Sequence, residues 1–237
     1  MFKERIYWPD SFGTSITLSD KAVVHKIKDV CRLKKDEPLY LFDGKGQEVR
    51  YFIEKVSRTT VAVVKDKSER KQDQPKKRIY LGFPLVREER IDFILQKCVE
   101  LGVFGFVPFI SERSINKFPS INKVNRWQKI ATEAARQSDR LWLPKIEETI
   151  KFNDLILRSY ALKIAGSVDG KIIKQDITPA EGDVLIVVGP VGDFSPQEYS
   201  ALANNNFKFI KLAPDILRVE TAAVFAAGLV NYFIMRE

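Results

Sequence analysis

The sequence has few of the residues that support metal binding, disulfides or membrane insertion. It contains one histidine, His25, and two cysteines, Cys31 and Cys98, which lie far apart without a C-x-x-C motif. This cysteine usage predicts neither a disulfide framework nor a zinc site, so we expect no bound metal. No apolar run approaches the ~20 residues that a membrane-spanning helix needs. The charged N-terminus is not followed by the apolar segment of a secretion signal, and we therefore expect a cytoplasmic protein.

The positive charge of the chain is concentrated in its first third. The 237 residues include 39 lysines and arginines and 31 acidic residues, giving a net charge of +8. Residues 1–78 have 19 basic and 12 acidic residues, whereas residues 79–237 have 20 and 19. Such an excess favours contact with a polyanion, above all a nucleic acid. A solvated basic surface that only maintains solubility would give the same composition.

The first 65 residues have the pattern of a small β-rich domain with one helix. Strands are predicted at 5–8, 39–43, 48–56 and 59–65. Ser19-Asp20 predicts the start of a helix that extends to about Cys31, with Lys21, His25, Lys28 and Arg32 along one polar face. Residues 66–78 have mixed charge and no aliphatic or aromatic side chain, which predicts an exposed linker. We therefore divide the chain into domains of residues 1–70 and 71–237.

From residue 79 onward the pattern is that of an α/β protein with a parallel sheet, because strands and helices alternate. Strands are predicted at 79–85, 103–110, 161–167, 184–188 and 207–212. Helices are predicted at 88–101, 125–140 and 216–234, and a further helix starts at Ser195 with a capping box completed by Glu198.

Two of these strands end in tight bends near the C-terminus. Residues 184–188 run into Gly189-Pro190-Val191-Gly192, and residues 207–212 run into Ala213-Pro214-Asp215. Ligands of open parallel sheets bind at the carboxyl ends of the strands, so the two bends predict a binding site. The first bend lacks the G-x-G-x-x-G motif of dinucleotide-binding folds, which argues against a nucleotide-dependent oxidoreductase.

The segments around both bends resemble one family. Gly-Pro-x-Gly-x-Phe-Ser-x-x-Glu at 189–198 and Leu-Arg-x-Glu-Thr-Ala at 217–222 are similar to the RsmE family, which methylates a uracil at N3 in 16S ribosomal RNA. Gln-Lys-x-x-Glu-Leu-Gly-Val at 96–103 and Ser-Glu-Arg-Ser at 111–114 match as well. Further matches are His25, Arg32, residues 42–44 and several positions between 126 and 144, so that the resemblance spans most of the chain.

The resemblance implies the fold and the partners of the protein. The RsmE family belongs to the SPOUT class, so we expect an α/β fold with a knotted C-terminal methyltransferase domain and an N-terminal PUA-like RNA-binding domain. The implied cofactor is S-adenosylmethionine, and the implied partners are 16S rRNA or the small ribosomal subunit and a second copy of the chain. Expected cofactor-binding residues are Val188, Gly189, Pro190, Gly192, Leu212, Ala213, Ile216, Leu217, Arg218 and Thr221. Expected RNA-binding residues are His25, Lys28, Arg32, Arg113, Arg136 and Arg140.

The chemistry of the implied reaction points to two catalytic candidates. Uracil N3 carries a proton at neutral pH, so a base must accept that proton or a cation must stabilise the resulting anion. Arg218 is the candidate for the cation, because its planar guanidinium can meet a carbonyl or a phosphate. Glu220 either acts as the base or holds Arg218 and Thr221 in position.

The sequence departs from the family pattern within the predicted cofactor loops. The family usually has Gly-Pro-Glu-Gly-Gly, whereas Val191 and Asp193 here replace the acid and the last glycine. Ala213 stands where a glycine is usual, Asp215 where an arginine is usual, and Asp139 where a glycine is common. Two functions therefore remain open: an active rRNA uracil-N3 methyltransferase, or a catalytically weakened RNA-binding assembly factor on the same fold.

Overall fold

The computed structural model describes residues 4–114, 118–172 and 181–235. The chain forms two compact units: Met1–Gln74 together with Asp139–Leu143, and Pro75–Ser138 together with Pro144–Glu237. Residue 70, where we placed the domain boundary, lies inside a strand. Within the described ranges, no helix combines the length and apolar character required to cross a membrane.

The first unit contains a five-stranded sheet with the strand order β1-β3-β4-β5-β2. The strands are β1 (Arg5–Tyr7), β2 (Ser15–Leu18), β3 (Pro38–Phe42), β4 (Gln47–Val56) and β5 (Val61–Lys71). Strand β1 is parallel to β3, and the other pairs are antiparallel. The core under this sheet includes Leu18, Ile27, Leu39, Leu41, Tyr51 and Ile53.

The predicted linker of residues 66–78 is wrong for its first half. Strand β5 continues to Lys71, and Glu69, Arg70 and Lys71 pair with residues of β4. The side chains of this extension are charged, apart from Ser68, and mostly exposed, so the apolar alternation that identifies a strand is missing from the sequence.

The helix of the first unit changes its winding after one turn. Helix α1 (Lys21–His25) is capped by Asp20, whose carboxylate accepts the backbone N–H groups of residues 22 and 23. It continues as a π-helical segment (Lys26–Val30), in which the N–H of Cys31 donates to the carbonyl of Lys26. Arg32 lies beyond the helix with a φ of 53°. The predicted polar face therefore does not extend to Arg32, because the π-helical winding breaks the i, i+4 spacing.

Residues 139–143 belong to the first unit, and the buried side chain of Arg5 holds them there. Arg5 is 2% exposed, and its Nε donates to Oε2 of Glu48 at 2.5 Å. Its second terminal nitrogen donates to the carbonyl of Arg140 at 2.8 Å, and its Nε lies 3.3 Å from Oδ1 of Asp139. Arg70 donates to the carboxylate and the carbonyl of Asp139, at 2.5 and 2.7 Å. These bonds neutralise a charge that would otherwise be costly to bury.

The second unit has the predicted α/β architecture around a parallel sheet. Its strand order is β12-β10-β11-β6-β7-β8, with β9 also paired to β7, and the pairs are parallel. The strands are β6 (Ile79–Pro84), β7 (Gly105–Ile110), β8 (Lys145–Ile146), β9 (Ile150–Lys151), β10 (Leu162–Ile172), β11 (Val184–Val187) and β12 (Lys208–Lys211). The helices are α2 (Glu88–Glu100), α3 (Ile121–Gln137), α4 (Phe152–Ile156), α5 (Pro196–Asn204) and α6 (Val219–Met235).

Helix α6 begins three residues later than the sequence predicts. Residues 216–218 lie outside the helix, and the carbonyl of Arg218 accepts the N–H of Ala222 at 2.8 Å. Arg218 therefore occupies the cap position before the first helical turn. The small residues Ala223, Ala226 and Ala227 are fully buried within the unit.

Candidate functional site

A cavity of about 540 Å³ opens at the carboxyl ends of β11 and β12 and beside residues 166–168 of β10. Its wall consists of those residues, residues 188–193 after β11, residues 212–213 and 215–218 before α6, Val219 and Ala222 from α6, and Arg90 from α2. The wall includes nine of the ten predicted cofactor residues, namely Val188, Gly189, Pro190, Gly192, Leu212, Ala213, Ile216, Leu217 and Arg218. Thr221 is absent from the lining, where its neighbour Ala222 is present.

The loop of residues 188–193 has a left-handed backbone at its end. Gly192 has a φ of 85° and Asp193 a φ of 65°, and the N–H of Asp193 donates to the carbonyl of Pro190 at 2.9 Å. Aspartate tolerates this conformation better than most residues with a side chain. The same holds for Asp139, with a φ of 60°. Both aspartates that replace family glycines thus keep a backbone conformation suited to glycine.

The carboxylate of Asp193 is held by two hydrogen bonds. Its Oδ1 accepts the N–H of Phe194 at 2.8 Å, and its Oδ2 accepts the hydroxyl of Tyr199 at 2.7 Å. The Tyr199 hydroxyl oxygen also lies 3.2 Å from Oγ of Ser167, a residue of the cavity wall. Burial, reinforced by the bond to Asp193, raises the pKa of Tyr199 to about 12, so Tyr199 is a protonated donor at neutral pH.

Arg113, which we expected to contact RNA, lies against the same loop. It belongs to the Ser-Glu-Arg-Ser turn after β7, and its Nη1 donates to the carbonyl of Gly192 and lies 3.3 Å from that of Asp193. The loop is therefore bound by Arg113 on one side and by Tyr199 on the other. Contact of the exposed Arg113 with RNA stays a prediction.

The capping box predicted at Ser195 is confirmed, and its glutamate makes a further bond. Oε2 of Glu198 accepts the N–H of Ser195 at 3.0 Å, and Oγ of Ser195 accepts the N–H of Glu198 at 3.3 Å. Oε1 of Glu198 accepts the N–H of Glu112 at 2.9 Å. This buried carboxylate thus links the start of α5 to the turn after β7, which the sequence did not predict.

Arg218 and Glu220, the two catalytic candidates, have different surroundings. The exposed side chain of Arg218 lines the cavity and makes no hydrogen bond or ion pair with any residue that the structure describes. Glu220 is largely buried in the first turn of α6, and its Oε2 lies 3.7 Å from Nη1 of Arg90. Glu220 is therefore paired with Arg90 and not with Arg218, which makes no ion pair with any described residue. The sequence did not predict Arg90 as a residue of the site. It lies in the first turn of α2, which follows β6, and this position is typical of residues that contact a ligand.

Two of the predicted RNA-binding residues of the first unit are close to an acidic side chain. Nδ1 of His25 lies 2.8 Å from Oδ2 of Asp29, and Nζ of Lys28 lies 3.8 Å from Oδ1 of the same residue. Arg32 is exposed and has no ion-pair partner among the residues described.

The two other predicted RNA-binding arginines are less available than their sequence positions indicate. The guanidinium of Arg136 in α3 donates two hydrogen bonds to Glu133, at 2.9 and 2.6 Å. Arg140 is partly buried in the first unit, and loss of solvation lowers its pKa to about 10, so that it remains charged at neutral pH.

Comparison with known proteins defines the class. The RNA methyltransferase domain family matches residues 72–231. Ribosomal RNA small subunit methyltransferase E of Synechocystis is 30% identical over 226 residues, which cover 92% of this chain and 73% of that protein. The protein of the same name from Rickettsia conorii is 30% identical and is covered to 90%.

Solved structures agree with this assignment. The small subunit methyltransferase E of Neisseria gonorrhoeae, bound to S-adenosyl methionine, has a TM-score of 0.89 at 28% identity, with 98% of both chains covered. A methyltransferase of Legionella pneumophila in complex with the same cofactor has a TM-score of 0.90 at 26% identity, with the same coverage. The fold is thus that of an RNA methyltransferase. The chain belongs to the RsmE family, the ribosomal RNA small subunit methyltransferases E, which confirms the resemblance seen in the sequence.

Proposed function

We propose that this protein transfers a methyl group from S-adenosylmethionine to N3 of a uridine in the 16S rRNA of the small ribosomal subunit. The observation that carries the proposal is that nine of the ten residues predicted to bind the cofactor line one cavity. The relatives named above are small subunit methyltransferases, and two solved neighbours hold this cofactor. The alternative, a catalytically weakened rRNA-binding assembly factor, gains no support from the replacement of glycine by Asp193, because Asp193 keeps a left-handed backbone.

The cavity fits S-adenosylmethionine in size and chemistry. Its volume of about 540 Å³ lies within the range of small-molecule sites. The backbone of Gly189 and Gly192 presents no side chain to a flat adenine, and Leu212 and Leu217 add apolar surface. Asp215 at the rim can face a positively charged group. The cofactor, when bound, supplies a methyl group already activated by a cationic sulfur.

Arg218 is the residue that we propose for catalysis. Its guanidinium is free of other partners in the described chain and lines the cavity, so it can meet the uracil oxygens on which negative charge develops. An arginine cannot accept the N3 proton. Glu220 supports the site by holding Arg90, and the acceptor of the proton is solvent or a group of the substrate complex.

We propose four finer features on the basis of the family. The first unit is a PUA-like RNA-binding domain, which its excess of basic residues supports. The C-terminal part of the second unit has the knotted SPOUT fold, consistent with its parallel sheet. The protein is a homodimer that works in the cytoplasm. The exposed Phe225 and Tyr232, seven residues apart on one face of α6, support an interface there.

The test is direct. Small ribosomal subunits that lack the modification are incubated with the protein and labelled S-adenosylmethionine, and the rRNA nucleosides are separated by mass spectrometry. N3-methyluridine at stoichiometric yield is the expected product. Binding of the cofactor and the subunit without any N3-methyluridine would establish the assembly factor instead.

A further inference from the structure

A second cavity, of about 440 Å³, lies at the carboxyl ends of β7 and β9. Ile110 ends β7, Lys151 ends β9, and both residues line this cavity. The first cavity lies at the carboxyl ends of β11 and β12, and all these strands are parallel. Both cavities therefore open at the same edge of the sheet. Strand β6 separates β7 from β11, so the two strand ends are roughly 10 Å apart.

The turn after β7 contacts both cavities through neighbouring residues. Glu112 lines the second cavity, and its neighbour Arg113 binds the backbone of Gly192 in the wall of the first. Glu198 lines the second cavity and accepts the N–H of Glu112 at 2.9 Å. A ligand in the second cavity would thus contact the same turn, residues 111–114, that binds the loop of residues 188–193.

The lining combines an apolar floor with an exposed aromatic ring and polar groups. Ile110, the buried Phe152 and Ala201 are the apolar part. Phe118 is 57% exposed, unusual for a large aromatic side chain, and the exposed Lys151 and Asn153 lie on the same cavity. An aromatic face, an ammonium and an amide beside an apolar floor suit a nucleotide, because bases stack on aromatic rings and lysine binds phosphate.

The carboxylates of the cavity do not favour a metal ion. Both oxygens of Glu198 accept backbone N–H groups, from Ser195 and from Glu112. Only the carboxylate of Glu112 is then left as a charged oxygen ligand, and the ammonium of Lys151 lines the same cavity. Hard cations need more oxygen ligands than this.

We propose that the second cavity binds an unpaired nucleotide of the RNA substrate close to the methylated uridine, with its base on Phe118 and its phosphate at Lys151. The inference rests on the proposed function, since it takes RNA as the substrate. It assigns to the second unit a share of RNA recognition that does not depend on the basic first unit.

The experiment compares Phe118→Ala, Phe118→Tyr and Lys151→Ala with two controls. Leu157→Ala removes an exposed apolar side chain, and Lys145→Ala removes an exposed charge, both outside the cavity. We expect Phe118→Ala and Lys151→Ala to raise the KM for small subunits about tenfold, with kcat and cofactor affinity unchanged. Phe118→Tyr, which keeps a stacking ring, and both controls should behave as the wild type.

A binding measurement makes the test independent of methylation. Affinity for a single-stranded oligouridylate is compared with affinity for the same backbone carrying abasic riboses. The wild type should bind the oligouridylate more tightly than the abasic strand. Phe118→Ala should reduce the ratio of the two affinities about tenfold, whereas Lys151→Ala should lower both affinities equally. An unchanged base preference in Phe118→Ala, together with an unchanged KM, overturns the proposal. If wild-type protein binds RNA in this way but never methylates it, the proposed function fails and the nucleotide site stands.

Discussion

The carboxylate of Asp193 occupies the space that a side chain at residue 189 would need. A Cβ atom on Gly189 would lie 2.6 Å from Oδ1 of Asp193, an oxygen that already accepts the N–H of Phe194. Asp193, which stands where the family usually has a glycine, therefore requires a glycine at position 189. The coupling between the two residues can be measured.

Gly189→Ala should weaken binding of S-adenosylmethionine about tenfold. The Asp193 carboxylate must break one of its hydrogen bonds to make room for the alanine side chain, and this shift disturbs the loop that lines the cavity. The same substitution in an Asp193→Gly background should cost less than about threefold, since the contact with Asp193 is removed and only the looser contact with the Phe194 ring, at 3.3 Å, remains. Calorimetric titration of the four proteins gives the coupling. Equal losses in both backgrounds would show that the two residues act independently.

Tyr199→Phe should make the protein less sensitive to alkali. The pKa of Tyr199 is raised to about 12 by burial, against an unfolded value near 10, so the fold favours the neutral hydroxyl. This contribution to stability is complete below about pH 10 and is lost as the pH rises from about 10 to 12. Denaturant unfolding at about pH 9 and about pH 11.5 should show a greater loss in the wild type, by up to ~2 kcal/mol. Equal losses of unfolding free energy in the wild type and in Tyr199→Phe would show that Tyr199 does not cause the sensitivity to alkali.

Arg218→Ala and Arg218→Lys should both lose methylation by roughly 100- to 1000-fold, while the affinity for the subunit changes little. Lysine keeps the charge and loses the planar pair of donors. Single-turnover rates across pH should show a steeper dependence on alkali in Arg218→Ala, because the uracil anion is no longer stabilised. A wild-type rate in Arg218→Ala would mean that another residue carries the chemistry.

Glu220→Gln separates a base from a supporting residue. Because Glu220 faces Arg90 at 3.7 Å, we expect a loss of less than about tenfold in kcat and an unchanged pH profile. Arg90→Lys, which keeps a cation beside Glu220, should retain more activity than Arg90→Ala. A loss of about three orders of magnitude in Glu220→Gln, with an altered pH profile, would identify Glu220 as the proton acceptor.

Neutralising Lys28 and Arg32 together should reduce the salt dependence of RNA binding. Two fewer phosphate contacts lower the slope of log K against log salt by roughly 1 to 2. Cofactor affinity should be unaltered, and Lys145→Ala serves as the control for loss of charge. A slope equal to that of the wild type would assign both residues to solubility.

The sequence predicted those features of the site that depend on neighbouring residues. The capping box at Ser195 and the two bends after strands follow from local backbone chemistry, and they brought nine expected residues to one cavity. The bonds that fix the site connect distant residues: Glu198 binds Glu112 across 86 positions, and Arg113 binds Gly192 across 79. Such pairs have no periodic signal.

The sequence also misplaced the ends of two elements, the start of α6 and the end of β5. Helix α6 starts at Val219 because Arg218 serves as its cap, although the residues from Ile216 onward suit a helix. The charged end of β5 is a strand because β4 supplies its hydrogen bonds, not because of its own side chains. For β5 the tertiary partner decides the backbone, whereas the start of α6 depends on the hydrogen bond within its own first turn.

The return of residues 139–143 to the N-terminal sheet has a consequence for dissecting the protein. A fragment that stops at Gln74 keeps Arg5 and Glu48 but lacks the Asp139 carboxylate and the Arg140 carbonyl. Chimeras that exchange the first unit with that of a relative must therefore exchange two segments, separated by the 64 residues of Pro75–Ser138 in the other unit. A single crossover in the coding sequence therefore cannot transfer the whole first unit without also transferring part of the second.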